Sequence, residues 1–175
     1  MKHNERVREE FTRQGEAFRD SPALAAGEIT DRIASALGSG HGRILDVACG
    51  PGVLLPTLST CAGTVVGVDL TLRSLQLARD ARTPGSCLLV RGLSEHLPFR
   101  PDSFDAAVLR LAPHHFLEPG AALTSARSVL RPGGLLVVLD ALSKGPGNPA
   151  GLDLSSEGDE LWFTYHWGLF AAIAR

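Results

Sequence analysis

Apolar positions along the chain follow two rhythms. Near the amino terminus Val7, Phe11, Gly15 and Phe18 recur at helical spacing among charged residues, which predicts an amphipathic helix over 6–18 with a thin apolar stripe. Ser21-Pro22 breaks it. Ile29, Ile33, Ala36 and Leu37 then form the buried face of a second helix over about 23–37, ended by Gly38-Ser39-Gly40-His41-Gly42. From Arg43 the rhythm changes to short unbroken apolar runs: Arg43–Val47, Thr64–Asp69, Cys87–Arg91, Phe104–Leu111 and Leu135–Asp140. Runs of this kind fit strands covered on both faces. Between them lie helical stretches over 52–60, over 72–81 with Thr71 as a plausible N-cap, and over 119–130, the last ended by Arg131-Pro132-Gly133-Gly134.

Strands alternating with helices at this spacing predict parallel βαβ units with right-handed crossovers. After Asp140 the pattern shifts. Residues 143–160 are rich in Gly, Pro, Ser and Asp and read as a loop. Residues 161–165 and 169–174 read as two short strands, with His166-Trp167-Gly168 as the turn of a hairpin.

Composition narrows the class without naming a function. A chain of 175 residues holds one domain with a real core. A formal charge of −2 provides no basic field for nucleic acid. Residues 1–20 are charged and polar with no secretory pattern, and runs such as Leu135–Leu139 are too short to span a bilayer. The spacing of Cys49, Cys61 and Cys87 fits neither a metal site nor a disulfide framework, so they are expected to be reduced core thiols. A soluble cytoplasmic single domain without a metal is the expectation.

The chemistry gathers at the carboxyl ends of the strands, where open α/β sheets bind ligands. Asp46 closes the first strand and precedes Ala48-Cys49-Gly50-Pro51-Gly52. A buried acid there is costly unless something polar meets it. Gly50 and Gly52 allow close approach of a ligand and positive φ. A dinucleotide fold would need a glycine at position 55, where this chain has Leu55, and Asp46 would repel a pyrophosphate while attracting an ammonium or a ribose hydroxyl. That opposes NAD and favours a cationic nucleoside bearing an amino acid. Asp69 and Asp140 close two further strands. Read alone, Asp69 is equally a solvated strand-end acid or a helix cap.

Ile44-Leu45-Asp46-Val47-Ala48-Cys49-Gly50-Pro51-Gly52 resembles the first motif of the class I S-adenosylmethionine-dependent methyltransferases. Four further segments keep that family's order: Val65-Val66-Gly67-Val68-Asp69, Gly92 to Phe99, Ser103-Phe104-Asp105 and Val129 to Gly134. The nearest branch is that of the ubiquinone and menaquinone C-methyltransferases, and the resemblance covers roughly Val7 to Asp140. It implies an α/β, Rossmann-like three-layer sandwich with a mostly parallel sheet in the order 3-2-1-4-5-7-6 and an antiparallel last strand. Relatives generally carry a longer tail, so the stretch after Asp140 is a departure, read as an abbreviated C-terminal region that keeps the final hairpin rather than as a foreign or truncated end. Residues 1–40 would form a helical lid and residues 41–175 the cofactor-binding domain.

In the family pattern Asp46 meets the methionine ammonium, directly or through water, beside Ala48, Gly50 and Gly52. Asp69 accepts from the ribose hydroxyls and Leu70 packs on the adenine. The family usually carries an Asp after Gly92 to accept from the adenine amino group. This chain has Leu93, which removes about 0.5–1.5 kcal/mol of net hydrogen bonding. Leu93 could stack on the ring and the Ser94 amide could meet a ring nitrogen; the plainer reading is that Leu93 and Leu97 point into the core. Arg110, counted among the cofactor-binding residues, opens the segment that faces the departing methyl group. His114, or with less support His115, would act as base, the competing reading being a helix cap and a solvated imidazole. Phe11, Gln14 and Phe18 match the lid, or anchor the core. Trp162, Tyr165 and Trp167 line a pocket or simply pack. The expected activity is methyl transfer to an O or C atom of a metabolite. The alternative is a cofactor-binding homologue that does not methylate, raised by Leu93 and the short tail.

Overall fold

The computed structural model describes residues 5–6, 8–13, 27–80 and 83–140, and the backbone of 141, 161–164 and 167–173. Residues 5–6 and 8–13 are helical, in agreement with the amino-terminal apolar stripe. Then come α1 (Gly27–Leu37), β1 (His41–Val47), α2 (Leu55–Cys61), β2 (Ala62–Asp69), α3 (Leu72–Asp80), β3 (Ser86–Arg91) and β4 (Phe104–Arg110). A single 3-10 turn at Pro113–His115 leads to α4 (Pro119–Ser128), β5 (Leu130–Ala141), β6 (Leu161–Thr164) and β7 (Trp167–Ile173).

The sheet order is β3-β2-β1-β4-β5-β7-β6, as the resemblance implies. The first five strands are parallel, while β7 runs antiparallel to both β5 and β6. The alternation of a strand's side chains sorts the core into two layers. Ile44, Val65, Val108 and Val137 face α1, α2 and α3, packing with Ile33, Leu55, Leu58 and Leu75. Leu45, Val47, Val66, Val68 and Leu109 face the other way, with Ala126 of α4 and with Phe104. Every one of these sheet residues is at most 1% exposed, which explains why the runs are apolar without interruption.

Several boundaries differ from the sequence reading. The helix expected over 52–60 begins only at Leu55, because Gly50 and Gly52 hold φ of +53° and +84° and cannot start an α-helix. Thr71 holds the N-cap position of α3, its carbonyl accepting the Leu75 amide at 3.2 Å while its own amide donates to Asp69 over 2.7 Å. Strand β5 takes in Arg131–Gly134, expected as a helix-ending turn. Phe104 pairs with Leu130 and Ala106 with Leu135, so the extra residues form an irregularity in the ladder. Trp167, expected in a turn, is already in β7. Tyr165, His166 and the loop expected over 143–160 lie outside the described residues.

The amino ends of the strands are tied by structural contacts. The Arg43 amide donates to Asp105 at 2.7 Å, Arg131 pairs with the same carboxylate, and the Arg43 guanidinium lies 5.2 Å from the centre of the Phe104 ring. Among the described residues no helix is long and apolar enough to cross a membrane.

Candidate active site

A cleft opens at the opposite edge, over the carboxyl ends of β1, β2 and β4. Its wall contains Ala48, Cys49, Gly50, Asp69, Leu70 and Thr71, then Leu93, Ser94 and Glu95, and finally Arg110, Leu111, Ala112, His115 and Phe116, with Phe11 across from them. The turn after β1 is held from below. The Cys49 amide donates to the Val68 carbonyl at 3.0 Å, and the Gly52 amide to the Cys49 carbonyl at 3.0 Å. A Cβ on Gly52 would lie 2.9 Å from the Ala78 Cβ and 3.0 Å from its Cα, so glycine lets α3 pack directly on the turn. Ala48 and Leu111 both have positive φ, +58° and +52°, and both line the cleft. For residues with a Cβ this backbone is strained, and strain of this kind gathers at functional sites.

Asp69 is fixed by backbone. Its Oδ2 accepts the Gly50 amide at 2.9 Å and its Oδ1 the Thr71 amide at 2.7 Å. Burial raises its pKa, and these hydrogen bonds pull it back. The Thr71 hydroxyl also reaches this carboxylate, which with about four acceptor sites in all keeps room for a ligand hydroxyl. A hydroxyl of a ribose diol suits that arrangement.

Asp46 stands behind the wall, only 2% exposed. Its register partners are Gly67 on β2 and Val108 on β4, and a Cβ on Gly67 would sit 2.9 Å from the Cys49 Sγ. The carboxylate is therefore roofed by the turn itself. Its Oδ2 finds no hydrogen-bond partner among the described residues. Burial pushes its pKa up to about 7, Asp69 adds to the rise, and Arg110 opposes it. The Cys49 thiol, next to this acid and buried, is raised well above the ordinary thiol range. All three cysteines are free.

At the other end of the cleft, Asp140 at the end of β5 is buried and clasps the 3-10 turn. Its Oδ2 accepts the His114 amide at 2.9 Å, and its Oδ1 meets His114 Nδ1 at 2.5 Å. The His114 ring lies 3.8 Å from the His115 ring, and His115 meets Phe11 edge-on at 4.8 Å.

Of the residues singled out from sequence, Ala48, Gly50, Asp69, Leu70, Leu93, Ser94, Arg110, His115 and Phe11 come together in one wall. Asp46 and Gly52 support that wall from behind, and His114 stands outside it against Asp140. Gln14 and Phe18 lie outside the described residues. The sequence singled out neither Cys49 nor Glu95 as a wall residue, named Leu111 and Phe116 only as part of the segment after β4, and gave Asp140 no partner. Asp140 had a visible signal, as the third acid to close an apolar strand.

The donor set fits S-adenosylmethionine. A buried acid with one unpartnered oxygen stands behind the turn where an ammonium would come, and a carboxylate with acceptor capacity to spare lies where a diol would come. When bound, S-adenosylmethionine supplies a methyl group on an electron-poor sulfonium. Comparison with known proteins points the same way. Residues 45–138 match the family described as "Methyltransferase domain". The chain is 36% identical over 115 residues to the ubiquinone/menaquinone biosynthesis C-methyltransferase of Syntrophotalea carbinolica, a match covering 63% of this chain and 48% of that protein. It is 31% identical over 133 residues to a ubiquinone biosynthesis O-methyltransferase of Cereibacter sphaeroides, covering 73% and 53%. A crystal structure of a SAM-dependent methyltransferase from Aquifex aeolicus shares the fold at a TM-score of 0.74, covering 94% of this chain and 98% of that one at 18% identity. The chain spans about half the length of the curated relatives it matches. With more than half of its residues inside that match, the chain belongs to the methyltransferase-domain family, and its cofactor is S-adenosylmethionine.

Proposed function

We propose that the protein transfers the methyl group of S-adenosylmethionine to an oxygen or carbon atom of a small-molecule acceptor. The observation that carries this reading is the composition of the cleft beyond the glycine turn. Phe11, Leu111, Ala112 and Phe116 make an apolar chamber with one imidazole, His115, in its wall. Such a chamber excludes water and accepts a flat or apolar molecule, while the imidazole can hydrogen-bond to or deprotonate the atom being methylated. Methyl transfer to an activated sulfonium needs alignment above all. S-adenosylmethionine, held by Asp69 and the turn at Gly50, would supply an electrophilic methyl group, and His115 or water would take the proton that the acceptor releases. His114, clasped by Asp140 and tilted against His115, holds that ring in place. The amino-terminal helix that carries Phe11 acts as a lid over the cleft, a role supported by Phe11 in the wall, while α1 packs on the sheet as part of the core. The relatives named above include both a C- and an O-methyltransferase, so both acceptor types belong in the test.

The test is incubation of the full chain with cofactor carrying a tritiated methyl group and a panel of phenols, hydroquinones and 1,3-dicarbonyl compounds. Label recovered in an extractable product, and lost by about a hundredfold or more in His115→Ala, is the expected result. Cofactor binding by calorimetry without label transfer to any acceptor would favour a cofactor-binding homologue that does not methylate.

A further inference from the structure

We propose that Glu95 is the residue that recognises the exocyclic amino group of the cofactor's adenine, and so makes the site selective for a 6-amino over a 6-oxo purine.

The strand order arranges the ligand along the cleft. Asp69, at the end of β2, is the wall carboxylate suited to a ribose diol, and the turn after β1 lies to one side of it. On the other side is β3, the edge strand, with the segment that follows it. If the amino-acid end occupies the turn and the ribose Asp69, the base extends towards β3. What the wall offers there is Leu70, Leu93, Ser94 and Glu95. Two leucines suit the faces of a purine. Neither can accept from the amino group at its edge, and an amino group buried without an acceptor weakens binding.

The backbone presents Glu95 for this task. The His96 amide donates to the Leu93 carbonyl at 3.1 Å, and the two residues form an isolated antiparallel bridge, so Ser94 and Glu95 are the central residues of a tight turn. Ser94 is 8% exposed and faces inward, while Glu95 is half-buried at the rim. The turn is anchored: the Gly92 amide donates to the Asp69 carbonyl at 3.0 Å, and a Cβ on Gly92 would lie 2.9 Å from Val68. Asp69 and Glu95 are the two acids in the wall, and the amides of Gly50 and Thr71 already bind Asp69. Among the described residues Glu95 makes no hydrogen bond or ion pair, so its carboxylate is available to a ligand. A carboxylate accepts from an amino group and repels a carbonyl, which gives the selectivity its sign.

Calorimetric titration of the full chain with S-adenosylhomocysteine and with S-inosylhomocysteine, its 6-oxo counterpart, tests the assignment without an acceptor substrate. The wild-type chain should bind the adenosyl compound at least about tenfold more tightly, the scale of one charge-assisted hydrogen bond. Glu95→Gln should bring the two affinities within about threefold, because a carboxamide can donate to the oxo group as well as accept from the amino group. Glu95→Ala should weaken the adenosyl compound about five- to twentyfold while leaving the inosyl compound unchanged or tighter. Glu95 is half-buried on a surface turn, so unchanged melting curves for both variants establish that they fold. Variants that leave both affinities as they were, or weaken both by the same factor, would overturn the role of Glu95 alone. A wild-type chain that binds neither compound would overturn it together with the cofactor assignment.

Discussion

At the residue scale Asp46 is a costly choice. It sits between Gly67 and Val108 in the middle of the sheet, 2% exposed, where a valine would pack without penalty. Its carboxyl keeps a proton up to about pH 7 in the folded protein, against an ordinary value of 3.8. Below about pH 4 both folded and unfolded chains carry that proton and nothing is lost. As pH rises further, the unfolded chain sheds its proton freely while the folded one resists. Stability therefore falls with rising pH until the folded group also ionises near 7, and levels off above it. At about 1.4 kcal/mol per unit the whole effect is a few kcal/mol, the desolvation of an acid reduced by Arg110. Asp46→Asn should therefore gain on the wild type between pH 4 and 7 and keep a constant lead of that size above pH 7, in urea unfolding series run at each pH. A difference that does not change with pH would refute the burial argument. The same substitution should weaken S-adenosylmethionine binding above about pH 7, where it removes a negative charge behind the turn. Stability lost to a buried acid in the ligand-free protein is a familiar cost of a prepared site.

Elements differ in how far the sequence alone reveals them, and physical range decides which. Strands β1, β2 and β4 were legible because each is an apolar run covered on both faces. The glycine turn was legible because its signal lies within seven residues of Asp46. The clasp of His114 by Asp140 was not, since the two residues stand 26 apart in sequence. They meet only because β4 and β5 pair in parallel with Arg110 opposite Leu139, which leaves the ends of both strands side by side. The entry of β5 was misread for a related reason: Arg131-Pro132-Gly133-Gly134 carries turn chemistry, and only the partner strand draws it into the ladder. The clasp has a measurable consequence. Asp140→Asn replaces a charged acceptor of two hydrogen bonds by a neutral one, at a cost of about 1–2 kcal/mol once partial exposure of the imidazole is discounted. Amide exchange at His114 should accelerate, while exchange at the neighbouring β4 amides stays as it was. Unchanged exchange at His114 would mean that Asp140 does not hold the turn.

For the molecule as a whole, strand order places every piece of the site along one edge of the sheet. The segments after β1, β2, β3 and β4 come from sequence positions near 50, 70, 94 and 112, and all four lie in one wall. The opposite edge is built for closure, with Asp105 accepting the Arg43 amide and pairing with Arg131. Binding of the cofactor must therefore act on one edge and spare the other. S-adenosylhomocysteine at about a hundred times its Kd stabilises the folded state by about 2.7 kcal/mol, which for a chain of this size raises the melting temperature by about 5–10 °C. The gain should appear as slowed hydrogen exchange at residues 48–54, 69–72, 92–96 and 110–116, because those segments acquire a common partner. Residues 100–103 and 131–134, at the other edge, should exchange as before. Protection spread evenly over both edges would show stabilisation without a located site. Protection confined to 48–54 would leave the ribose and adenine assignments without support, since Asp69 and the turn at Ser94 and Glu95 can be protected only by a ligand that reaches β3.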